Sequence, residues 1–201
     1  MNSDGLKELR RRYPWPDTKP GVEVNPHGWF DPGIRSVCAE QITDDMDVIL
    51  ELGTWTGFSA RWFCKNSQAA VICVDHWKGS NEHKNNPKFA PMLPTLYETF
   101  LATNWHLQDR LIPVKANTLD AMREVADLGI RPGLVMVDAA HDEESVFEDV
   151  TTAVWLFPDA AIVGHDATWK GVAAGAGRAA DATNRLYVDR GTCYEIRPKE
   201  V

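Results

Sequence analysis

The sequence predicts an α/β fold built on a doubly wound, mostly parallel, seven-stranded sheet that ends in an antiparallel hairpin. From Val48 onward, short apolar runs alternate with longer amphipathic runs, which is the pattern of parallel strands covered by helices on both faces. Near the C-terminus, two short apolar runs are separated only by Asp189-Arg190-Gly191, a spacing typical of a hairpin.

The predicted strands are short apolar segments bounded by turn-forming residues. They are Val48 to Leu52, Val71 to Val74, Leu111 to Lys115, Leu134 to Val137, Ala160 to Val163, Leu186 to Val188 and Thr192 to Ile196. Because the first five alternate with helices, the predicted sheet is Rossmann-like.

The predicted helices carry apolar residues at three- and four-residue spacing. They are Gly57 to Asn66, Pro94 to Asn104, Leu119 to Asp127, Glu143 to Phe157 and Gly171 to Thr183. Either Asn117 or Thr118 can cap the third of them, since both residue types accept hydrogen bonds from helix N-termini.

Two segments lie outside this alternation. Residues 1–47 form an N-terminal extension rich in Pro and aromatic residues, with a helix predicted near Pro32 to Ile42, and we expect it to cap the site or to serve substrate binding or dimerisation. Residues 48–201 form the main domain. The connection Trp77 to Pro94 is a candidate lid. The basic cluster Lys7 to Arg12 is expected to be a solvated terminal segment.

Composition excludes several partners. A net charge of -8 and a pI of about 5.2 disfavour nucleic acids and anionic membranes, because like charges repel. No run approaches the roughly 20 apolar residues of a membrane span. Four scattered cysteines without a C-x-x-C pair suit a reducing compartment, so a cytoplasmic protein is expected, with a homodimer left open.

The first strand leads into the turn Glu51-Leu52-Gly53-Thr54-Trp55-Thr56-Gly57, where small residues and a helix start suit close approach of a ligand. Asp75 ends the second strand roughly 20 residues further on, the place from which an acid reaches ribose hydroxyls. The alternative is that Asp75 only caps the following turn. Trp77 either stacks on an adenine or packs beneath the long loop.

The turn lacks G-x-G-x-x-G, because Trp55 and Phe58 stand where close approach of a pyrophosphate favours Gly. NAD is therefore the weaker candidate. S-adenosylmethionine (SAM) carries no pyrophosphate and is compatible with a looser turn, in which Glu51 acts near the methionine amino group, directly or through water.

Two acids end the fourth and fifth apolar runs, Asp138 after Val137 and Asp166 after His165. If those strands are neighbours, the two carboxylates approach each other and either share a proton or hold a cation. Carboxylate oxygens favour a hard ion such as Mg²⁺, with Mn²⁺ or Ca²⁺ as alternatives.

Two histidines accompany these acids. His141 follows Asp138 by three residues and is a candidate general base, the alternative being a local hydrogen-bonding role. His165 is expected to face away from Asp166 if the strand continues, and so to be structural.

Together these motifs resemble the class I SAM-dependent methyltransferases of the macrocin O-methyltransferase-like group (methyltransferase family 24 type), over about Asp47 to Arg197. The resemblance rests on four motifs in order: Glu51 to Ser59, Val74 to Ser80, Val137 to His141, and Gly164 to Asp166 followed by Trp169-Lys170-Gly171-Val172. Five strand and helix units with a closing antiparallel pair are also the order of that family's sheet.

The resemblance implies methyl transfer from SAM to a hydroxyl of a small acceptor, such as a sugar or natural product. Asp138 and Asp166 match metal-binding acids, and His141 matches a general base. Such relatives often carry a second acid beside the later one, whereas Asp166 has His165 and Ala167 as neighbours. The expected cofactor-binding residues are Glu51, Gly53, Thr54, Trp55, Gly57, Ser59, Asp75, His76, Trp77, Asn117, Thr118 and Asp138.

Two rival functions remain open. One is an NAD-dependent oxidoreductase on a similar sheet. The other is a SAM-binding protein without catalysis. Aromatic richness, with 8 Trp, fits either ring stacking around a pocket or ordinary core packing.

Overall fold

The computed structural model describes residues 3–199 and contains a seven-stranded sheet in the order β3-β2-β1-β4-β5-β7-β6. The strands are β1 (Val48–Leu52), β2 (Ala70–Asp75), β3 (Leu111–Lys115), β4 (Leu134–Val137), β5 (Ala161–His165), β6 (Arg185–Asp189) and β7 (Cys193–Pro198). The first five are parallel, and β7 is antiparallel to both β5 and β6. The predicted sheet is confirmed, with strand ends shifted by one or two residues in four strands.

The α-helices are α1 (Ser3–Arg12), α2 (Pro32–Gln41), α3 (Phe58–Asn66), α4 (Asn81–Asn85), α5 (Leu96–Thr103), α6 (Thr118–Asp127), α7 (Glu143–Leu156) and α8 (Lys170–Ala182). Short 3₁₀ turns cover Ala90–Thr95 and Trp105–Leu107. The five helices predicted from periodicity and the helix predicted near Pro32 to Ile42 are present, whereas α1 and α4 are not among the predicted helices.

The sheet is covered on both faces because alternate residues of its buried strands point to opposite sides. Val48, Leu50 and Leu52 belong to the core beneath α6, α7 and α8. Ile49 belongs to the opposite core, beneath α2, α3 and α5. This doubly wound arrangement places the carboxyl ends of the parallel strands at one edge, where ligands bind in such folds.

The basic cluster near the N-terminus is solvated at Lys7, Arg11 and Arg12, as predicted, but it is not a free terminal segment. It forms α1, in which Leu9 is fully buried. The Arg10 guanidinium donates to the backbone carbonyls of Gln108, Asp109 and Leu111, while Arg12 pairs with Glu124. The helix is amphipathic, so its apolar face packs on the domain and its arginines reach groups on α6 and before β3.

The segment between α1 and α2 crosses the start of α3. The Thr56 hydroxyl donates to the His27 carbonyl, and Arg61 donates to the Pro26 carbonyl at 2.8 Å. Asp31 caps α2 by accepting from the Gly33 backbone N–H at 2.6 Å. Pro26 and His27 of the extension therefore lie beside the turn that follows β1 and the start of α3.

None of the helices in residues 3–199 is long and apolar enough to cross a membrane.

Candidate active site

A cleft of about 1300 Å³ opens at the carboxyl ends of β1, β2, β4 and β5. Eleven of the residues predicted to form the site line it: Gly53, Thr54, Trp55, Ser59, Asp75, His76, Asn117, Thr118, Asp138, His141 and Asp166. Glu51, Gly57 and Trp77 do not belong to this lining.

Three residues of the turn after β1 have positive φ angles. Gly53 has φ +90°, and a Cβ built there would overlap the backbone carbonyl of Asp138. Gly57 has φ +81° and Trp55 has φ +53°. The turn can therefore lie directly against the end of β4 only because residue 53 has no side chain.

Glu51 lies beneath this turn and is fully buried. Its Oε2 accepts a 2.8 Å hydrogen bond from the Thr54 hydroxyl, and Oε1 has no hydrogen-bond partner within residues 3–199. Burial raises the pKa of Glu51 to about 8, although the Ser59 and Thr54 hydroxyls oppose that rise. A contact between Glu51 and the amino group of a ligand stays a prediction.

Asp75 ties the ends of β1 and β2 together. Its Oδ2 accepts from the Trp55 backbone N–H at 2.9 Å, and its Oδ1 accepts from the Trp77 backbone N–H at 2.7 Å. Burial raises the pKa of Asp75, while these two backbone donors lower it. Asp75 does cap the following turn, and it also lines the cleft, while its contact with a ribose stays a prediction.

The Trp77 ring packs beneath the long loop instead of facing an adenine site. Only 3% of the residue is exposed, and its ring lies against Tyr97 and Phe100. Its indole N–H donates to the Trp55 carbonyl at 2.8 Å. The expectation that this ring binds the cofactor is therefore wrong, because φ of +51° at Trp77 turns the chain and directs the side chain inward.

The far end of the cleft is formed by the start of α6. Asn117 is the cap residue, accepting from the Asp120 backbone N–H at 2.8 Å. The Thr118 hydroxyl instead donates to Asp149, a carboxyl group of α7 that also lines the cleft. Burial raises the pKa of Asp149 to about 6.

His141 lies between two carboxylates. Its Nε2 is 3.1 Å from Asp166 Oδ2, and its Nδ1 is 3.2 Å from Glu82 Oε2, a residue of α4. The Asp166 hydrogen bond, only partly offset by burial, raises the pKa of His141 to about 9. The expected base is therefore protonated at neutral pH while both carboxylates contact it.

His165 does not face away from Asp166, contrary to the prediction. The strand ends at His165, and Asp166 adopts the left-handed region with φ +56°, so both side chains turn into the cleft. His165 Nδ1 lies 3.5 Å from Asp138 Oδ2 and 3.8 Å from Asp166 Oδ2. One ligand-type atom each of Asp138, His165 and Asp166 lies within 4.8 Å of the others.

Sequence reasoning missed Asp31, whose Oδ2 lies 2.9 Å from His165 Nε2. The Asp-Pro pair at the start of α2 indicates a helix cap, and Asp31 is one. Nothing in the local sequence shows that its second oxygen reaches a strand end 134 residues away.

Some tryptophans pack in the core and others line the cleft, the two roles that the composition allows. Trp77 belongs to the core. Trp29 and Trp169 line the cleft and remain 44% and 45% exposed. Trp29 contacts Trp55, and Trp169 lies 4.6 Å from the His141 ring between centroids.

A family model described as a methyltransferase domain matches residues 50–167, more than half of the chain. The chain belongs to this methyltransferase family. The match spans the turn after β1, Asp75, Asp138, His141 and Asp166. Membership of the macrocin-like group within it stays a prediction.

Solved structures show the same fold. An O-methyltransferase from Bacillus cereus in complex with SAH (S-adenosylhomocysteine) has a TM-score of 0.52 and 16% identity, covering 98% of this chain and 90% of that one. The TDP-rhamnose 3′-O-methyltransferase of calicheamicin biosynthesis has a TM-score of 0.54 and 13% identity, covering 82% and 77%. A precorrin 8W decarboxylase from Methanobacterium thermoautotrophicum has a TM-score of 0.54 and 15% identity, covering 87% and 95%. A search of curated proteins finds no match.

These similarities identify the fold as that of SAM-dependent methyltransferases, and family membership supports SAM as the cofactor. The residues fit such a ligand. The buried Glu51 keeps, among residues 3–199, one carboxylate oxygen without a hydrogen-bond partner under the turn.

Proposed function

We propose that this protein is a SAM-dependent O-methyltransferase that acts on a small hydroxylated acceptor of the sugar or natural-product type, with assistance from a divalent cation. The observation that carries the proposal is that one cleft joins the turn after β1 to Asp138, His141 and Asp166. A methyl donor and a group able to take a hydroxyl proton can then meet in one place.

The charge of the cleft favours SAM over NAD. Among the described residues that line it, nine are Asp or Glu and three are Lys or Arg. SAM carries a sulfonium and an ammonium group against one carboxylate, whereas NAD carries a pyrophosphate that such a surface repels. The SAH complex of the Bacillus cereus relative supports the same choice.

The donor end of the cleft positions the cofactor through the chain's own residues. Asp75 accepts from the Trp55 and Trp77 N–H groups, and each of its oxygens keeps a further lone pair for a ribose hydroxyl. Asn117 and Thr118 border the space beyond it. SAM, when bound, supplies a methyl group that is open to in-line attack by an oxygen nucleophile.

At the other end, His141 is placed to accept the proton of the acceptor hydroxyl. Asp166 and Glu82 hold it protonated when nothing else engages them, so base function requires that another group takes up the Asp166 charge. A divalent cation held by Asp138 and Asp166 would do so and would make the hydroxyl more acidic.

The exposed Trp29 and Trp169 at this end favour a ring-shaped acceptor, since indoles stack on sugar and aromatic rings. The two residues come from the N-terminal extension and from the loop after β5. The extension would then serve acceptor binding, as its composition predicts.

Two measurements test this function. Calorimetry should show binding of SAH and none of NAD at equal concentration. Transfer of labelled methyl from SAM should then be measured on a panel of sugars, phenols and glycosides, with and without divalent cations. NAD binding without SAH binding would indicate an oxidoreductase, and SAH binding with no methyl transfer to any acceptor would indicate a non-catalytic protein.

A further inference from the structure

A histidine lies beside Asp138 and Asp166, the two acids that follow β4 and β5 in the cleft. His165 is the last residue of β5, and its side chain is 5% exposed. Its Nδ1 is buried and makes no well-aligned hydrogen bond within residues 3–199. It points toward Asp138 and Asp166, at 3.5 Å and 3.8 Å from one oxygen of each.

The other nitrogen of this ring is already engaged. Asp31 Oδ2 lies 2.9 Å from Nε2, while Asp31 Oδ1 accepts from the Gly33 N–H and from the Thr192 hydroxyl. Asp31 is therefore fixed from both sides. When the ring is neutral, as a metal ligand must be, a carboxylate in this position favours the tautomer with hydrogen on Nε2, and the Nδ1 lone pair is then directed at the two acids.

A buried imidazole with one nitrogen bonded to a carboxylate and the other facing two further carboxylates is the arrangement that proteins use to present histidine to a metal. The three ligand atoms lie within 4.8 Å of one another. Asp138 and Asp166 remain partly accessible from the cleft, so an ion can enter and keep open positions for a substrate oxygen.

We infer that this cleft holds a first-row transition-metal ion, such as Mn²⁺, on Asp138, His165 and Asp166, with Asp31 as the residue that orients His165. The inference deepens the proposed function, because it changes the expected ion. Three carboxylate ligands suit Mg²⁺, whereas an imidazole nitrogen suits transition-metal ions such as Fe²⁺ and Zn²⁺ and is a poor ligand for Mg²⁺. Mn²⁺ accepts carboxylate oxygens readily and, as a transition-metal ion, also accepts the nitrogen.

His165 thus stands in the position where the resemblance leads us to expect a second acid beside Asp166. The site therefore still offers three metal ligands, but one of them is an imidazole nitrogen instead of a carboxylate oxygen. The same comparison explains why Asp31 matters, since a carboxylate ligand needs no partner to select its tautomer and a histidine ligand does.

The test is metal binding to the full-length protein after chelator treatment, by calorimetric titration of MnCl₂ and of MgCl₂, without SAM or acceptor. Mn²⁺ should bind measurably more tightly than Mg²⁺, as expected for a site with a nitrogen ligand. Pulsed electron paramagnetic resonance of the Mn²⁺ complex should show coupling to one ¹⁴N nucleus.

Three variants and a control sharpen the result. His165→Ala should remove the ¹⁴N coupling and most of the Mn²⁺ affinity, and His165→Asp should restore metal binding with little preference between Mn²⁺ and Mg²⁺. Asp31→Asn keeps the helix cap but offers His165 an N–H, so Mn²⁺ should bind about 10- to 100-fold more weakly although residue 31 does not touch the ion. His106→Ala, at an exposed histidine outside the cleft, should bind like the parent protein.

Absence of ¹⁴N coupling in the parent, or equal Mn²⁺ affinity in His165→Ala, would overturn the inference. So would failure of both ions to bind, which would mean that the His165 imidazolium itself occupies the space between the acids. SAH binding is measured separately on the same samples, so loss of the metal site and loss of the proposed methyltransferase function give different outcomes.

Discussion

The two ends of the cleft are built in different ways. At the donor end, Asp75 accepts hydrogen bonds from backbone N–H groups that closely follow the neighbouring strands β1 and β2. At the acidic end, side chains converge from distant parts of the chain: the His141–Glu82 pair spans 59 residues and the His165–Asp31 pair spans 134. The donor end depends on backbone conformation, and the acidic end depends on long-range side-chain pairing.

This difference has a functional consequence. A backbone-built site tolerates little change, because most substitutions there alter the fold itself. A site built from convergent side chains can change its chemistry through one residue, as the His165 ligand illustrates. Substitutions at the donor end should therefore mainly lower stability, whereas substitutions at the acidic end should mainly lower turnover.

The largest effect is expected at Gly53. Gly53→Ala places a methyl group against the Asp138 carbonyl at φ +90°, so we expect a loss of more than about 4 kcal/mol in the free energy of unfolding, or no folded protein. Gly191→Ala is the matched control, because Gly191 has φ +84° and open space around its Cβ position. It should lose only about 1 to 2 kcal/mol. Similar losses in urea unfolding of both variants would contradict the close-packing explanation.

At the acidic end, His141→Ala should lower turnover by about 10²- to 10⁴-fold, the range of general-base catalysis. SAH affinity, measured by calorimetry, should stay nearly unchanged, because His141 contacts Asp166 and Glu82 and not the turn after β1. His106→Ala serves as the histidine control. Unchanged turnover would remove His141 from the mechanism, and an equal loss of SAH affinity would mean that the two ends are not separable.

Asp75 tests the donor end without introducing steric overlap. In Asp75→Asn, one of the two oxygens that accept the Trp55 and Trp77 N–H groups becomes an amide donor, so the turn loses a hydrogen bond to a charged group. We expect SAH to bind about 10- to 100-fold more weakly, which is the size of such a bond. Asp44→Asn, at an exposed aspartate, is the control. Parental SAH affinity in Asp75→Asn would show that this carboxylate is only structural.

The smallest effect concerns the pH dependence of stability through Glu51. Its pKa is raised from 4.5 to about 8, so between these values the native state keeps a proton that the unfolded state has lost. Stability contributed by this residue therefore falls as pH rises from about 4.5 to 8. Glu51→Gln removes that dependence and should be more stable than the parent at pH 8, by roughly 1 to 3 kcal/mol after allowance for relaxation around a buried charge.

The two proteins should unfold at nearly the same urea concentration at pH 4.5, where about half of the Glu51 side chains are protonated even in the unfolded chain. Parallel stability curves across this pH range would show that Glu51 is not held protonated. If Glu51 also contacts the ligand, the variant should gain stability and lose SAH affinity together.

Local sequence patterns determined much of this protein. Alternating apolar and amphipathic runs predict the five parallel strands and their helices, because buried strands and amphipathic helices have distinct periodicities. The turn from Gly53 to Gly57 and the acids Asp75, Asp138 and Asp166 follow from their positions at strand ends. Each of these features depends on backbone preference and on residues close in sequence.

Only the tertiary structure decided which side chains meet. A left-handed residue at Asp166 brings its carboxylate to the same side as His165, and the N-terminal extension brings Asp31 to the far side of the histidine ring. The packing of Trp77 on α5 keeps its ring out of the cleft. These outcomes depend on the paths of loops and on contacts between residues far apart in the chain. No pattern within a short window of sequence encodes them, because their energy comes from partners that only the folded chain brings together.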